Sequence, residues 1–177
     1  MNDAQMLRTA AALEPLGIEV VRFNFAYRER GSRRPDPMPV LRERYAAIVE
    51  ELRPRAAGRP LIIGGRSMGG RVATLLAADG YACDALLLFA YPLHPAGQPE
   101  KLRDAHLPNI RVPVLCFNGT RDALCRRDLM ERALQTVTVP WRMRWIEGAD
   151  HSLKGDKVMA EIAAAAADWL LTIQRAA

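Results

Sequence analysis

The stretch Leu61-Ile62-Ile63-Gly64-Gly65-Arg66-Ser67-Met68-Gly69-Gly70-Arg71-Val72-Ala73 constrains the chain more than any other. A short apolar run suited to a buried strand meets Gly-x-Ser-x-Gly at Gly65, Ser67 and Gly69, then passes directly into Val72 to Ala78, which has the alanine-rich composition of a helix. A strand that turns into a helix over so few residues strains the backbone at the turn, and the pattern predicts that a side chain on Gly65 or Gly69 would collide with neighbouring backbone. Ser67 then stands at the C-terminal edge of a sheet. The helix N-terminus, and the Met68 amide in particular, faces the place where negative charge develops when a serine attacks a carbonyl. GxSxG by itself is a short pattern that often carries no chemistry; its place at a strand–helix junction gives it weight.

The rest of the chain alternates strands and helices. Asn2 or Asp3 can cap a first helix with Met6, Leu7, Ala10 and Leu13 at helical spacing, ending near Pro15 and Gly17. Ile18 to Phe23 reads as a strand. Tyr27 to Pro39, with Arg28, Arg30, Arg33, Arg34 and three prolines, reads as an irregular basic loop. Leu41, Tyr45, Ile48 and Leu52 mark one face of a second helix that Pro54 ends. The runs Asp84 to Ala90 and Val112 to Phe117 are apolar on both faces, as in parallel strands covered by helices. Leu129 to Leu134 is a helix, Trp141 to Ile146 a last strand, and a long final helix sets Val158, Ile162, Ala166, Trp169 and Ile173 inward. The expected architecture is α/β, one doubly wound, mostly parallel sheet over residues 1–177 with no separate cap domain.

In such a sheet the C-terminal ends of all strands share one edge. Asp122 follows the Val112 strand and His151 follows the Trp141 strand, so both can converge on Ser67. Serine is a poor nucleophile at neutral pH. An imidazole must take its proton, and a carboxylate must hold that imidazole in the right tautomer. Each residue also has a plain alternative: Asp122 in a turn with Gly119, His151 as a surface loop histidine. His94 and His106 are weaker candidates because both precede Asp122, and Asp150 is a fallback acid.

The motifs Gly64 to Arg71, Phe23-Asn24-Phe25-Ala26-Tyr27 with Arg33-Arg34-Pro35, Tyr91-Pro92-Leu93-His94-Pro95, Gly119-Thr120-Arg121-Asp122 and Gly148-Ala149-Asp150-His151-Ser152 together resemble a group of small bacterial α/β-hydrolases. That group is similar to dienelactone hydrolases and to the hydrolase-like domain of a chromatin acetyltransferase-complex subunit. The resemblance implies an α/β-hydrolase fold, a Ser67/Asp122/His151 triad, Met68 as an oxyanion amide and hydrolysis of an ester or related acyl bond. Dienelactone hydrolases proper use a cysteine nucleophile, so their lactone chemistry is not implied for a serine.

One departure carries a structural expectation. In such hydrolases a strand ahead of the first helix ends in an HGxG-type loop that supplies the second oxyanion amide, and this sequence, which holds no His-Gly pair, starts almost at that helix. The fold therefore reads as lacking one or more N-terminal strands, with Met1 an internal start. The expectation is that Ile18 to Phe23 and the nucleophile strand pair directly, in a sheet of about five strands. An alternative function follows too: a hydrolase-fold binding or interaction module without turnover.

Composition narrows the partners. Lysine plus arginine exceed aspartate plus glutamate by 25 to 20, a diffuse +5 without interleaved aromatics, which weighs against nucleic acid. No run approaches the ~18 apolar residues of a membrane span, and no signal pattern opens the chain. Cys83, Cys116 and Cys125 show neither zinc-site spacing nor an even count, which fits a reducing cytoplasm. Neither a metal nor an organic cofactor is indicated, the expected ligand is a small acyl substrate in an open, shallow pocket, and the oligomeric state is not legible.

Overall fold

The computed structural model describes residues 4–56 and 58–174. Four strands, β1 (Ile62–Arg66), β2 (Ala85–Phe89), β3 (Val114–Gly119) and β4 (Trp141–Ile146), form one parallel sheet in the order β1-β2-β3-β4. Every residue of β2 and β3 is buried, because helices cover both faces and leave no polar side for alternation. The register sets Arg66 beside Phe89, Phe89 beside Phe117 and Gly119 beside Ile146, so all four C-terminal ends share one edge.

Successive strand residues point to opposite faces, and each face has its own helices. Leu86, Leu88 and Cys116 pack with Leu41 and Tyr45 of α3 (Met38–Leu52), Val72 and Leu76 of α4 (Met68–Ala78) and Met130 of α5 (Arg127–Leu134). Leu87, Phe89, Leu115 and Phe117 pack with Leu13 of α1 (Ala4–Leu13) and with Ile162, Ala166 and Trp169 of α6 (Asp156–Gln174). The doubly wound sheet is thus present. Between them, a one-turn α2 (Ala26–Glu29) opens the basic loop, where Arg30 is ion-paired with Asp36 at 2.6 Å.

The inner face of α1 differs from the spacing-based expectation. Ala10 and Leu13 are buried, but Leu7 is exposed, and Gln5 and Thr9 take the inner positions. Both have their polar groups met: Gln5 Nε2 donates to the Leu153 carbonyl at 2.7 Å and Thr9 Oγ1 to the Gln5 carbonyl at 2.9 Å. The expected cap at Asn2 or Asp3 lies outside the described residues.

The larger correction concerns Ile18 to Phe23, which forms no strand and does not pair with β1, so the sheet has four strands rather than about five. The segment still alternates like a strand: Ile18 and Val20 pack against the α1/α6 side, Phe23 and Phe25 against the α3/α4 side. A cavity of 1060 Å3 separates it from β1, lined by Ile18, Val20, Phe23, Ile62, Gly64 and Ser67 among others. Side chains link the two across it. Glu19 is ion-paired with Arg55 and Arg59 at one end of the segment. At the other, Phe23 packs edge-on against the Tyr45 ring at 5.0 Å. Tyr45 in turn stands against β1, its hydroxyl donating to the Gly64 carbonyl at 2.5 Å and accepting from the Gly64 amide at 2.8 Å. One phenol thereby meets both backbone groups that a neighbouring strand would meet at the middle of the β1 edge. Among the described residues no helix is long and apolar enough to cross a membrane.

Candidate active site

Ser67 sits between β1 and α4 and belongs to both. Its amide donates to the Phe89 carbonyl at 2.9 Å, extending the β1–β2 ladder, and its carbonyl accepts the Arg71 amide at 3.0 Å, the first bond of α4. Serving both elements forces φ 50°, ψ −114°, a conformation that non-glycine residues rarely adopt and that persists only where surrounding structure imposes it. Gly65 has φ 147°, and a Cβ there would stand 3.1 Å from the Gly69 carbonyl carbon. The second close approach falls on Gly70, where a Cβ would lie 2.8 Å from the Gly65 carbonyl oxygen, whereas Gly69 has open space around it. The expected collision at Gly69 is therefore displaced by one residue: the helix turns Gly70, not Gly69, toward β1.

Asp122 closes the turn after β3, its amide donating to the Gly119 carbonyl at 3.1 Å. Its carboxylate is fully buried and accepts from the Leu124 amide at 2.8 Å and from Asn118 Nδ2 at 3.2 Å. His151 lies on the loop between β4 and α6. Its Nδ1 is 3.0 and 2.9 Å from the two Asp122 oxygens and its Nε2 is 2.9 Å from Ser67 Oγ. A carboxylate only accepts, which assigns the proton to Nδ1 and leaves the Nε2 lone pair to receive the serine hydroxyl. Asp122 thus makes the plain turn and the bond to His151 together.

The other candidates are engaged elsewhere. His94 is buried, with Nδ1 2.9 Å from the Pro95 carbonyl and Nε2 accepting the Arg126 amide at 3.2 Å. His106 Nε2 lies 2.9 Å from Thr74 Oγ1, and burial, with Arg71 nearby, lowers its pKa to about 4. Asp150 turns to Ser152, whose amide donates to it at 2.8 Å. Burial pushes the Cys125 thiol up to about 12 and the Cys83 thiol up to about 11, so neither carries a thiolate at neutral pH. Among the described residues no group of three His, Cys, Asp or Glu side chains could hold a metal ion. Ser67 and Met68 line the 1060 Å3 cavity beside β1.

Two residues of the site went unread in the sequence. Asn118, fully buried in β3, accepts the Tyr91 amide at 3.1 Å and donates to the Tyr91 carbonyl at 3.1 Å as well as to Asp122, so it locks the ends of β2 and β3 around the carboxylate. An asparagine closing the apolar run Val114 to Phe117 was the available signal. Arg66 donates from a terminal guanidinium nitrogen to the His151 carbonyl at 2.9 Å, and nothing local in the sequence announces that contact.

A parallel sheet wound on both faces, with serine, aspartate and histidine following three of its strands in that chain order, is the arrangement of the α/β-hydrolase class. The chain belongs to that family: the alpha/beta hydrolase domain family is matched over residues 1–170. Among solved structures it is similar to an alpha-beta serine hydrolase homologue from Coxiella burnetii, with 20% identity, TM-score 0.76, and 96% of this chain and 77% of that one covered. It is also similar to a dienelactone hydrolase from Anabaena variabilis, at 19% identity and TM-score 0.74, over 97% of this chain and 80% of that one. A third is an α/β serine hydrolase without lid from Xanthomonas campestris, at 23% identity and TM-score 0.72, over 93% of this chain and 71% of that one. At such identities the likeness speaks for the fold.

Proposed function

We propose that the protein is a serine hydrolase that cleaves a small carboxylic ester or related acyl bond through Ser67, His151 and Asp122. Ser67 Oγ attacks the acyl carbon while its proton passes to His151 Nε2. Asp122 holds the ring and stabilises the imidazolium. The tetrahedral oxyanion forms next to the Met68 amide, one of the first amides of α4 and so without a partner inside the helix. Collapse expels the alcohol or thiol, which takes the proton from His151, and leaves Ser67 acylated. Water, deprotonated by the same nitrogen, then releases the acid and restores the serine. The single observation that carries this reading is the continuous hydrogen-bonded path from Asp122 through His151 to Ser67 Oγ. Three cysteines without a disulfide among the described residues fit a reducing compartment such as the cytoplasm.

The test is turnover of short-chain p-nitrophenyl esters, with Ser67→Ala as control. The reading expects hydrolysis that the substitution lowers by roughly 10⁴-fold or more. Equal background rates in both proteins would overturn it. The second reading, a binding module without turnover, is favoured by one observation, the unclosed gap beside β1 next to the serine. It expects a folded protein with no Ser67-dependent rate.

A further inference from the structure

We propose that Arg66 is a positioning residue that sets the distance between His151 and the serine; this rests on the hydrolase reading above. Arg66 is the last residue of β1 and immediately precedes Ser67. Its guanidinium reaches across to the backbone carbonyl of His151 at 2.9 Å. The bond therefore joins the strand that presents the nucleophile to the very residue that presents the base.

The loop carrying His151 has other anchors, but they lie to either side of it. On the β3 side, Thr120 Oγ1 accepts the Gly148 amide at 2.9 Å, Arg121 Nε donates to the Gly148 carbonyl at 2.7 Å and the Arg121 amide donates to the Ala149 carbonyl at 2.9 Å. On the α1 side, Gln5 holds the Leu153 carbonyl. These contacts place the loop against β3 and α1, and the Asp122 bond fixes the ring against β3 as well. Apart from the bond of the His151 ring to Ser67 itself, none of these hydrogen bonds refers the loop to β1. Arg66 supplies that reference.

The Nε of Arg66 is buried without a protein hydrogen-bond partner, as is that of Arg71, and the Arg66 guanidinium is directed by its bond to the His151 carbonyl. The planar guanidinium donates in a fixed direction, so a single bond transmits the position of β1 to the carbonyl of His151 with little slack. Proton transfer from Ser67 depends on Nε2 staying within hydrogen-bond reach, and a displacement of ~1 Å can lower a rate ~10²-fold.

The experiment compares wild type, Arg66→Met and Arg66→Lys for the rate of Ser67 labelling by a fluorophosphonate probe, and for kcat and KM on p-nitrophenyl acetate. Labelling of the wild type comes first, because its absence overturns the hydrolase reading and this assignment together. Given labelling, we expect Arg66→Met to react ~10- to 100-fold more slowly, with the loss in kcat and KM little changed. Arg66→Lys, which keeps a donor for the His151 carbonyl, recovers part of the rate, as does added guanidinium ion at low millimolar concentration with Arg66→Met. An Arg66→Met rate within twofold of wild type overturns the Arg66 assignment alone, leaving the triad standing. So does an Arg66→Lys rate no better than that of Arg66→Met, which would mark the side chain as filler rather than donor.

Discussion

The carbonyl oxygen of Ala149 occupies the space where a Cβ on Gly119 would stand. Gly119 ends β3 three residues before Asp122, and Ala149 lies two residues before His151, so this contact sets how closely the two loops approach. Gly119→Ala forces the loops apart and lengthens the 2.9 Å bond between Asp122 and His151. We expect ester turnover or probe labelling to fall by ~10²-fold, since misplacement of ~1 Å is enough for that. Unchanged labelling of a folded Gly119→Ala protein would show that the loop contact does not govern the site.

Asp122→Asn tests the tautomer. An asparagine amide directed at Nδ1 favours a proton on Nε2, the nitrogen that must accept from Ser67. The expected fall in kcat is roughly 10⁴-fold, with the fold kept. A loss of under tenfold would mean that Asp122 serves the turn with Gly119 and little else.

Tyr45 tests the edge of the sheet. Its burial keeps the phenol protonated, with its pKa raised above the ordinary value against the opposing effect of the Gly64 backbone bond. Tyr45→Phe leaves the Gly64 amide and carbonyl without their partner beside the cavity. The expected loss is about 1–3 kcal/mol in urea unfolding. A stability equal to wild type would indicate that water in the cavity replaces the hydroxyl.

His106 gives the stability a pH slope of its own. Burial holds its pKa at about 4 in the folded protein, below the 6.5 of the free side chain. The unfolded chain therefore binds the proton first as pH falls. The stabilisation is complete above about pH 6.5 and is lost progressively toward pH 4. Discounted for partial solvent screening, the change is on the order of 1–2 kcal/mol. Unfolding midpoints of wild type and His106→Gln, compared between pH 4.5 and 7, should converge at the acid end. Parallel curves would contradict the assignment.

What the sequence made legible was mostly local. The apolar runs of β2 and β3, the abrupt passage through Ser67 into α4, and the place of Asp122 and His151 just past strand ends all follow from neighbouring residues and from parallel topology. The misreadings have non-local causes. Ile18 to Phe23 has the alternation of a strand, yet pairing needs two edges in reach, and Tyr45, brought in by α3, stands against the edge it would have joined. Leu7 loses the inner face of α1 to Gln5 because the Leu153 carbonyl, far along the chain, offers Gln5 a bond. The close approach at Gly70 rather than Gly69 depends on how α4 turns against β1. Asn118 could have been noticed as a polar residue ending a buried strand, although its bonds to Tyr91 and Asp122 exist only once β2 and β3 are side by side. The contact between Arg66 and His151 spans β1 and the loop after β4, and no spacing rule reaches across it.

The most direct test of the account is fluorophosphonate labelling of the full chain, with the modified peptide identified by mass spectrometry, on wild type, Ser67→Ala and His151→Ala. The account predicts that wild type is labelled at Ser67, that Ser67→Ala is not labelled, and that His151→Ala is labelled at least ~10³-fold more slowly. A folded wild type that the probe leaves unmodified, or labelling that survives His151→Ala undiminished, would contradict it.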